Sequence, residues 1–156
     1  MEESVISNHF HKIYTLQEAK CLNPLTLAYI GDEVFSFYVR KFLVGSGINN
    51  VYHLTKISSQ YVKANAQANM IEYLSPSLTE DESAIVKRGR NAKSTPPKNA
   101  NKMDYKYATG AEALMGYLEL TGQQERLEKL MLQGLAFLSP ESHHPRETIV
   151  RSKKAH

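Results

Sequence analysis

This 156-residue chain has little that would place it in a membrane, an export route or a β fold. No stretch approaches the roughly 18 consecutive apolar residues of a membrane-spanning helix. A single cysteine, Cys21, excludes an internal disulfide framework and fits a reducing compartment. An incidental thiol accounts for it better than a nucleophile does. The first residues, Met1-Glu2-Glu3-Ser4, lack the basic-then-apolar pattern of a secretory signal, so a cytoplasmic protein is expected. There is no internal repeat and no useful period-two alternation. What is left is enough ordinary globular sequence for one domain with one core.

Charge is unevenly placed, although the net value is only +3. Residues 1–86 hold six basic and nine acidic side chains. Residues 87–106 hold Lys87, Arg88, Arg90, Lys93, Lys98, Lys102 and Lys106 against Asp104 alone. One concentrated positive segment on a neutral or acidic body points to a polyanionic partner. A solvated loop is the plainer alternative.

Helical spacing dominates the rest. Asn23-Pro24 reads as an N-cap followed by proline at the first helical position, opening a helix over 24–44 that ends at Gly45-Ser46-Gly47. A second helix is expected over 50–73. Thr79 and Glu82 have capping-box spacing and open a short helix to Arg88. Residues 89–103, with several Gly, Pro, Ser and Asn, read as a loop. Two further helices are expected over 104–120 and 123–138, separated by Gly122. Residues 1–21 read as an N-terminal extension. Residues 139–156 read as a flexible basic tail, whose His143-His144 pair is solvated rather than metal-binding.

Two carboxylates stand out. Asp32 follows Gly31 in Leu27-Ala28-Tyr29-Ile30-Gly31-Asp32-Glu33-Val34, and Glu112 lies among Ala108, Gly110, Ala111, Ala113 and Gly116. An acid on a small-residue, mostly apolar helix face is costly to bury unless compensated. Two such helices packed closely would bring the acids together, a donor set suited to Mg²⁺, with Mn²⁺ as a substitute. A surface or capped carboxylate is the ordinary alternative for each acid taken alone. Glu33 is about 100° around the helix from Asp32.

These segments resemble the ribonuclease III catalytic domain. Ile30-Gly31-Asp32 followed by Val34 is similar to that family's signature helix. Glu112-Ala113-Leu114-Met115-Gly116-Tyr117 is similar to its later acidic motif, and Leu54-Thr55-Lys56 through Val62-Lys63-Ala64-Asn65 to its middle helix. The similarity covers about residues 22–138. Within the family the chain most resembles the short bacterial Mini-ribonuclease III branch, which has the catalytic domain without an appended double-stranded-RNA-binding domain. Lys87-Arg88-Gly89-Arg90-Asn91-Ala92-Lys93-Ser94 is similar to a basic segment of that branch. Two further acids of the longer family members are absent: Ala28 and Thr109 stand in their places.

The resemblance implies an all-α fold and a homodimeric, metal-dependent endoribonuclease acting on double-stranded RNA. Asp32 and Glu112 would be catalytic and metal-binding. The products would carry 5′-phosphate and 3′-hydroxyl ends. It also implies a role in maturing large-subunit ribosomal RNA precursors, with a ribosomal protein or pre-ribosomal particle as a further partner and no membrane partner. Without a separate RNA-binding domain, duplex affinity would come from the surface: Arg88, Arg90, Asn91, Lys93, Ser94 and Lys98, with Asn99, and a second line at Lys56 and Lys63. Tyr29, Phe35, Phe37 and Tyr38 read as core, with an interface role as the alternative. Two other functions stay open at this stage. One is a non-catalytic RNA-binding or ribosome-associated module on the same fold; the other is a helical phosphohydrolase of small nucleotides.

Overall fold

The computed structural model describes residues 1–140, so the tail beyond, with His143, His144 and the basic residues after them, lies outside the described residues. Helices α1 (Glu3–Phe10), α2 (Leu16–Cys21), α3 (Pro24–Gly45), α4 (Val51–Val62) and α5 (Ala64–Leu74) are followed by a 3-10 turn at Ser75–Ser77. Then come α6 (Glu80–Asn91), α7 (Lys102–Leu120) and α8 (Gln124–Leu138). No strand occurs among the described residues, and the fold is all-α as expected.

Caps written in the sequence set most helix starts. The Asn23 side chain accepts from the Leu25 amide at 2.9 Å, ahead of Pro24. The Thr79 hydroxyl accepts from the Glu82 amide at 3.2 Å, while the Glu82 carboxylate accepts from the Thr79 amide at 2.9 Å. Thr15 and Glu18 form a second capping box that opens α2, and Asn101 caps α7.

Three expectations need correction. The helix expected over 50–73 is two helices, because Lys63 adopts an extended conformation (φ −65°, ψ 152°) between α4 and α5. No proline or glycine announces that break; the buried Gln67 side chain instead donates to the Val62 carbonyl at 3.1 Å. The helix opened by Thr79 continues to Asn91, so the irregular connection shrinks to 92–101 and Arg88, Arg90 and Asn91 are helical. Tyr29 and Phe37 are not core: they are 76% and 60% exposed, whereas Phe35 is 1% exposed. The buried arc of α3 runs through Leu27, Gly31, Phe35, Val39 and Leu43. Tyr29 and Phe37 each lie two positions from a member of that arc, about 200° around the helix.

The buried arc of α3 packs on α7, which is the central helix. Every residue of α7 from Ala108 to Leu118 is buried except Glu112, which is half-buried. Helices α5 and α6 cover α7 on other sides, and α8 packs against α5. Small residues permit the approach. A Cβ on Gly31 would collide with the Glu112 carbonyl, and one on Gly116 with the Leu27 carbonyl. Similarly, a Cβ on Gly89 of α6 would lie 2.9 Å from Gly110 Cα and Ala113 Cβ of α7.

Polar ties fix the periphery. Arg126 of α8 donates to both oxygens of Glu82, at 2.9 and 2.8 Å, and to the Ser77 carbonyl at 2.7 Å. Burial works to raise the Glu82 carboxyl, but Arg126 and the Thr79 cap reverse that and hold it below its usual value. The N-terminal segment is also docked: the Tyr14 amide donates to the Leu120 carbonyl at 2.9 Å, and Ala19 is fully buried.

Two glycine substitutions separate packing from propensity. Gly31→Ala should lower unfolding free energy by about 3 kcal/mol or more, because a backbone carbonyl cannot rotate out of the way. Gly45→Ala, at a helical position with nothing within 4 Å, should be neutral or stabilising by up to about 1 kcal/mol. Denaturant midpoints of the two variants check this.

Candidate functional site

The α3–α7 crossing that needs Gly31 also places the next residue, Asp32, beside Glu112. Asp32 is exposed and Glu112 half-buried, and the two carboxyl groups are close enough to interact electrostatically and by hydrogen bonding. Burial, then the Asp32 charge, pushes the Glu112 carboxyl up to about 7. A hydrogen bond from the Gln67 side chain works in the opposite direction. The pair is therefore poorly suited to carrying two negative charges on its own.

Gln67 did not figure among the expected site residues. It is 2% exposed on α5, and its side-chain oxygen is buried without a hydrogen-bond partner. The sequence signal was weak: one long polar side chain inside the small-residue run Ala64–Ala68. Ala28 and Thr109 are each 6% exposed, and the Thr109 hydroxyl is committed to the Tyr105 carbonyl at 2.8 Å. Glu33 is exposed. No group of three or more His, Cys, Asp or Glu side chains suited to a metal gathers among the described residues. Two carboxylates with an orphaned amide oxygen nearby are an all-oxygen set, which fits a hard divalent cation that keeps several waters.

The basic residues divide into held and free-standing groups. The Arg88 guanidinium donates to the Lys20 and Leu22 carbonyls at 2.6 and 3.1 Å, tying α6 to the turn before α3. Arg90 lies over the Tyr107 ring at 5.4 Å. Asn91 ends α6 and is exposed, as are Lys93, Ser94, Lys98 and Asn99 in the connection to α7. Lys56 of α4 and Lys63 line an open groove of about 870 Å³ together with Phe42, Tyr61 and Phe137. The Lys63 ammonium also donates to the Gln60 side chain at 2.8 Å.

Comparison with known proteins agrees with this layout. The chain matches the Ribonuclease III domain family over residues 25–123. It is 46% identical over 121 residues to a Mini-ribonuclease 3 of Brevibacillus brevis, covering 77% of this chain and 90% of that protein. It is also 46% identical over 119 residues to a Mini-ribonuclease 3 of Enterococcus faecalis, covering 74% of this chain and 90% of that one. A crystal structure of a Fusobacterium nucleatum protein superimposes with a TM-score of 0.66 at 30% identity, covering 72% of this chain and 90% of that one.

The raised Glu112 carboxyl has a consequence for stability. The unfolded chain releases this proton near 4.5 and the folded metal-free protein only near 7. Folding therefore takes up a proton between those values, and stability falls as pH rises through them. Glu112→Gln removes the titration. In chelator the variant should melt above the unaltered protein at pH 8, and the gap should close toward pH 5; thermal melts across that range check it.

Proposed function

We propose, for a chain that belongs to the ribonuclease III family, that Asp32 and Glu112 form the divalent-cation site at which it cuts double-stranded RNA. As a member of that family the protein is an endoribonuclease. The observation that carries the site is the pairing itself. Two acids 80 positions apart meet at a glycine-mediated helix crossing, where burial and mutual repulsion oppose the ionisation of Glu112.

Asp32 and Glu112 would hold Mg²⁺ or Mn²⁺ in both carboxylate forms. Such a cation supplies charge neutralisation and water activation for attack on phosphorus. Hydrolysis then leaves 5′-phosphate and 3′-hydroxyl ends. Ala28 and Thr109 contribute no charged oxygen, so the protein offers two carboxylates per site and RNA phosphates supply further oxygen. The close α3–α7 contact fixes the acids before substrate arrives, which limits reorganisation during the reaction.

Arg90, Lys93 and Lys98 supply phosphate contacts to an A-form duplex, with Asn91, Ser94 and Asn99 on 2′-hydroxyls and Lys56 and Lys63 as a second contact line. Arg88 acts chiefly by holding α6 in place. A homodimer is part of the proposal. Tyr29, Phe37 and Val44 are 76, 60 and 60% exposed on one side of α3, an apolar stripe suited to a second copy. Two copies would present one site to each RNA strand. The resemblance to the short branch supports a ribosomal RNA precursor as substrate, met in the cytoplasm and on a pre-ribosomal particle or with a ribosomal protein. No described helix is long and apolar enough to cross a membrane.

A labelled RNA duplex incubated with the protein in Mg²⁺ or in chelator tests the assignment. Cleavage should need Mg²⁺ and spare single strands. Asp32→Asn and Glu112→Gln should each lose more than the roughly 100-fold typical of outer-shell changes. Duplex binding without cleavage under any divalent cation would instead identify a non-catalytic RNA-binding module. In a separate measurement, replacing Arg90, Lys93 and Lys98 together by alanine should make the dependence of log K on log salt shallower by about two units. An unchanged slope would remove the α6–α7 connection from the RNA surface.

A further inference from the structure

We infer that Gln67 is a positioning residue for Glu112, and that its side-chain oxygen finds its hydrogen-bond partner in the water shell of the divalent cation held by Asp32 and Glu112. The inference rests on the metal-site reading above and extends it to a residue on a third helix.

A primary amide that is 2% exposed has left water almost completely, and such groups are normally fully bonded. One end of Gln67 is. Its nitrogen donates to the Val62 carbonyl at 3.1 Å, across the extended residue Lys63 that breaks α4 from α5. The same side chain is within hydrogen-bonding reach of the Glu112 carboxyl, where donation favours the carboxylate a cation requires. The other end is not bonded. Oε1 is buried and meets no donor in the protein. Its neighbours in the chain, Ala66 and Ala68, have nothing to give, and the Thr109 hydroxyl is already committed to the Tyr105 carbonyl.

A buried acceptor left unsatisfied costs about 1–3 kcal/mol. Two carboxylates fill only part of an octahedral shell, and the remaining positions are waters that direct their protons outward. An acceptor held beside the pair by a bond to the backbone is what such a water needs. Outer-shell partners of this kind orient the ligands and contribute about 10–100-fold to metal affinity.

The test is Mn²⁺ binding to the full chain without RNA, followed by calorimetry, for the unaltered protein, Asp32→Asn and Gln67→Met. The unaltered protein should bind saturably and Asp32→Asn should not. Gln67→Met should bind about 10–100-fold more weakly. Its metal-free melting midpoint should stay level or rise, because a thioether of similar size replaces an orphaned amide. A purely structural role would lower the midpoint and leave the affinity alone. As a readout independent of substitution, the Gln67 side-chain amide resonance of the unaltered protein should move on Mg²⁺ addition, at the midpoint of binding. Gln67→Met affinity within twofold of the unaltered value, or an unmoved resonance at saturation, would overturn the inference while leaving the acid pair standing. No saturable binding by the unaltered protein, or full binding by Asp32→Asn, would instead overturn the metal site and this inference with it.

Discussion

The backbone-to-backbone approach of α3 and α7 is the constraint from which the rest of the molecule follows. Gly31 lies on the Glu112 carbonyl and Gly116 on the Leu27 carbonyl, so neither position tolerates a side chain. Glycine inside a helix costs roughly 0.5–1 kcal/mol against alanine through backbone entropy. Both helices accept that cost at the crossing. In return two backbones come close enough for short acidic side chains to meet, and a core with α7 at its centre is wrapped by helices on several sides.

The same contact creates an electrostatic conflict. Glu112 is the one residue between Ala108 and Leu118 that is not buried outright, and it faces Asp32 where water is scarce. A sequence chosen for stability alone would place a neutral residue there. Local rules broken without compensation inside the protein mark functional positions, and the compensation here is external: a cation. Gln67 follows the same logic with a neutral group, one end bonded and the other left open.

The outer ties have a different character. The Glu82–Arg126 pair is buried on the acid side, doubly hydrogen-bonded and combined with a capping box, so each group is satisfied within the protein. Arg88 spends its guanidinium on two carbonyls of the turn before α3. These residues fix the edges of α6 and α8 relative to the centre. They also show that a basic residue in a positive segment need not face the polyanion that the segment attracts.

Helix starts were legible in the sequence because caps are local: Asn23-Pro24 and Thr79-Glu82 act within one turn. The two acids were legible because a carboxylate on a small-residue face conflicts with its own surroundings, whatever the tertiary structure. The break at Lys63 was not legible, since the chain there lacks Gly and Pro and the bond from Gln67 to Val62 forms only once α5 is docked. Helix periodicity likewise did not show which side of α3 holds Tyr29 and Phe37, because apolar residues occur all round that helix and only packing on α7 selects the buried arc. By itself the sequence determined the all-helical class, the capped helix starts and the identity of the acids, all of which depend on residues a few positions apart. Only the tertiary structure decided that Asp32, Glu112 and Gln67 share one place, because that requires three helices to meet at glycines and alanines far apart in the chain.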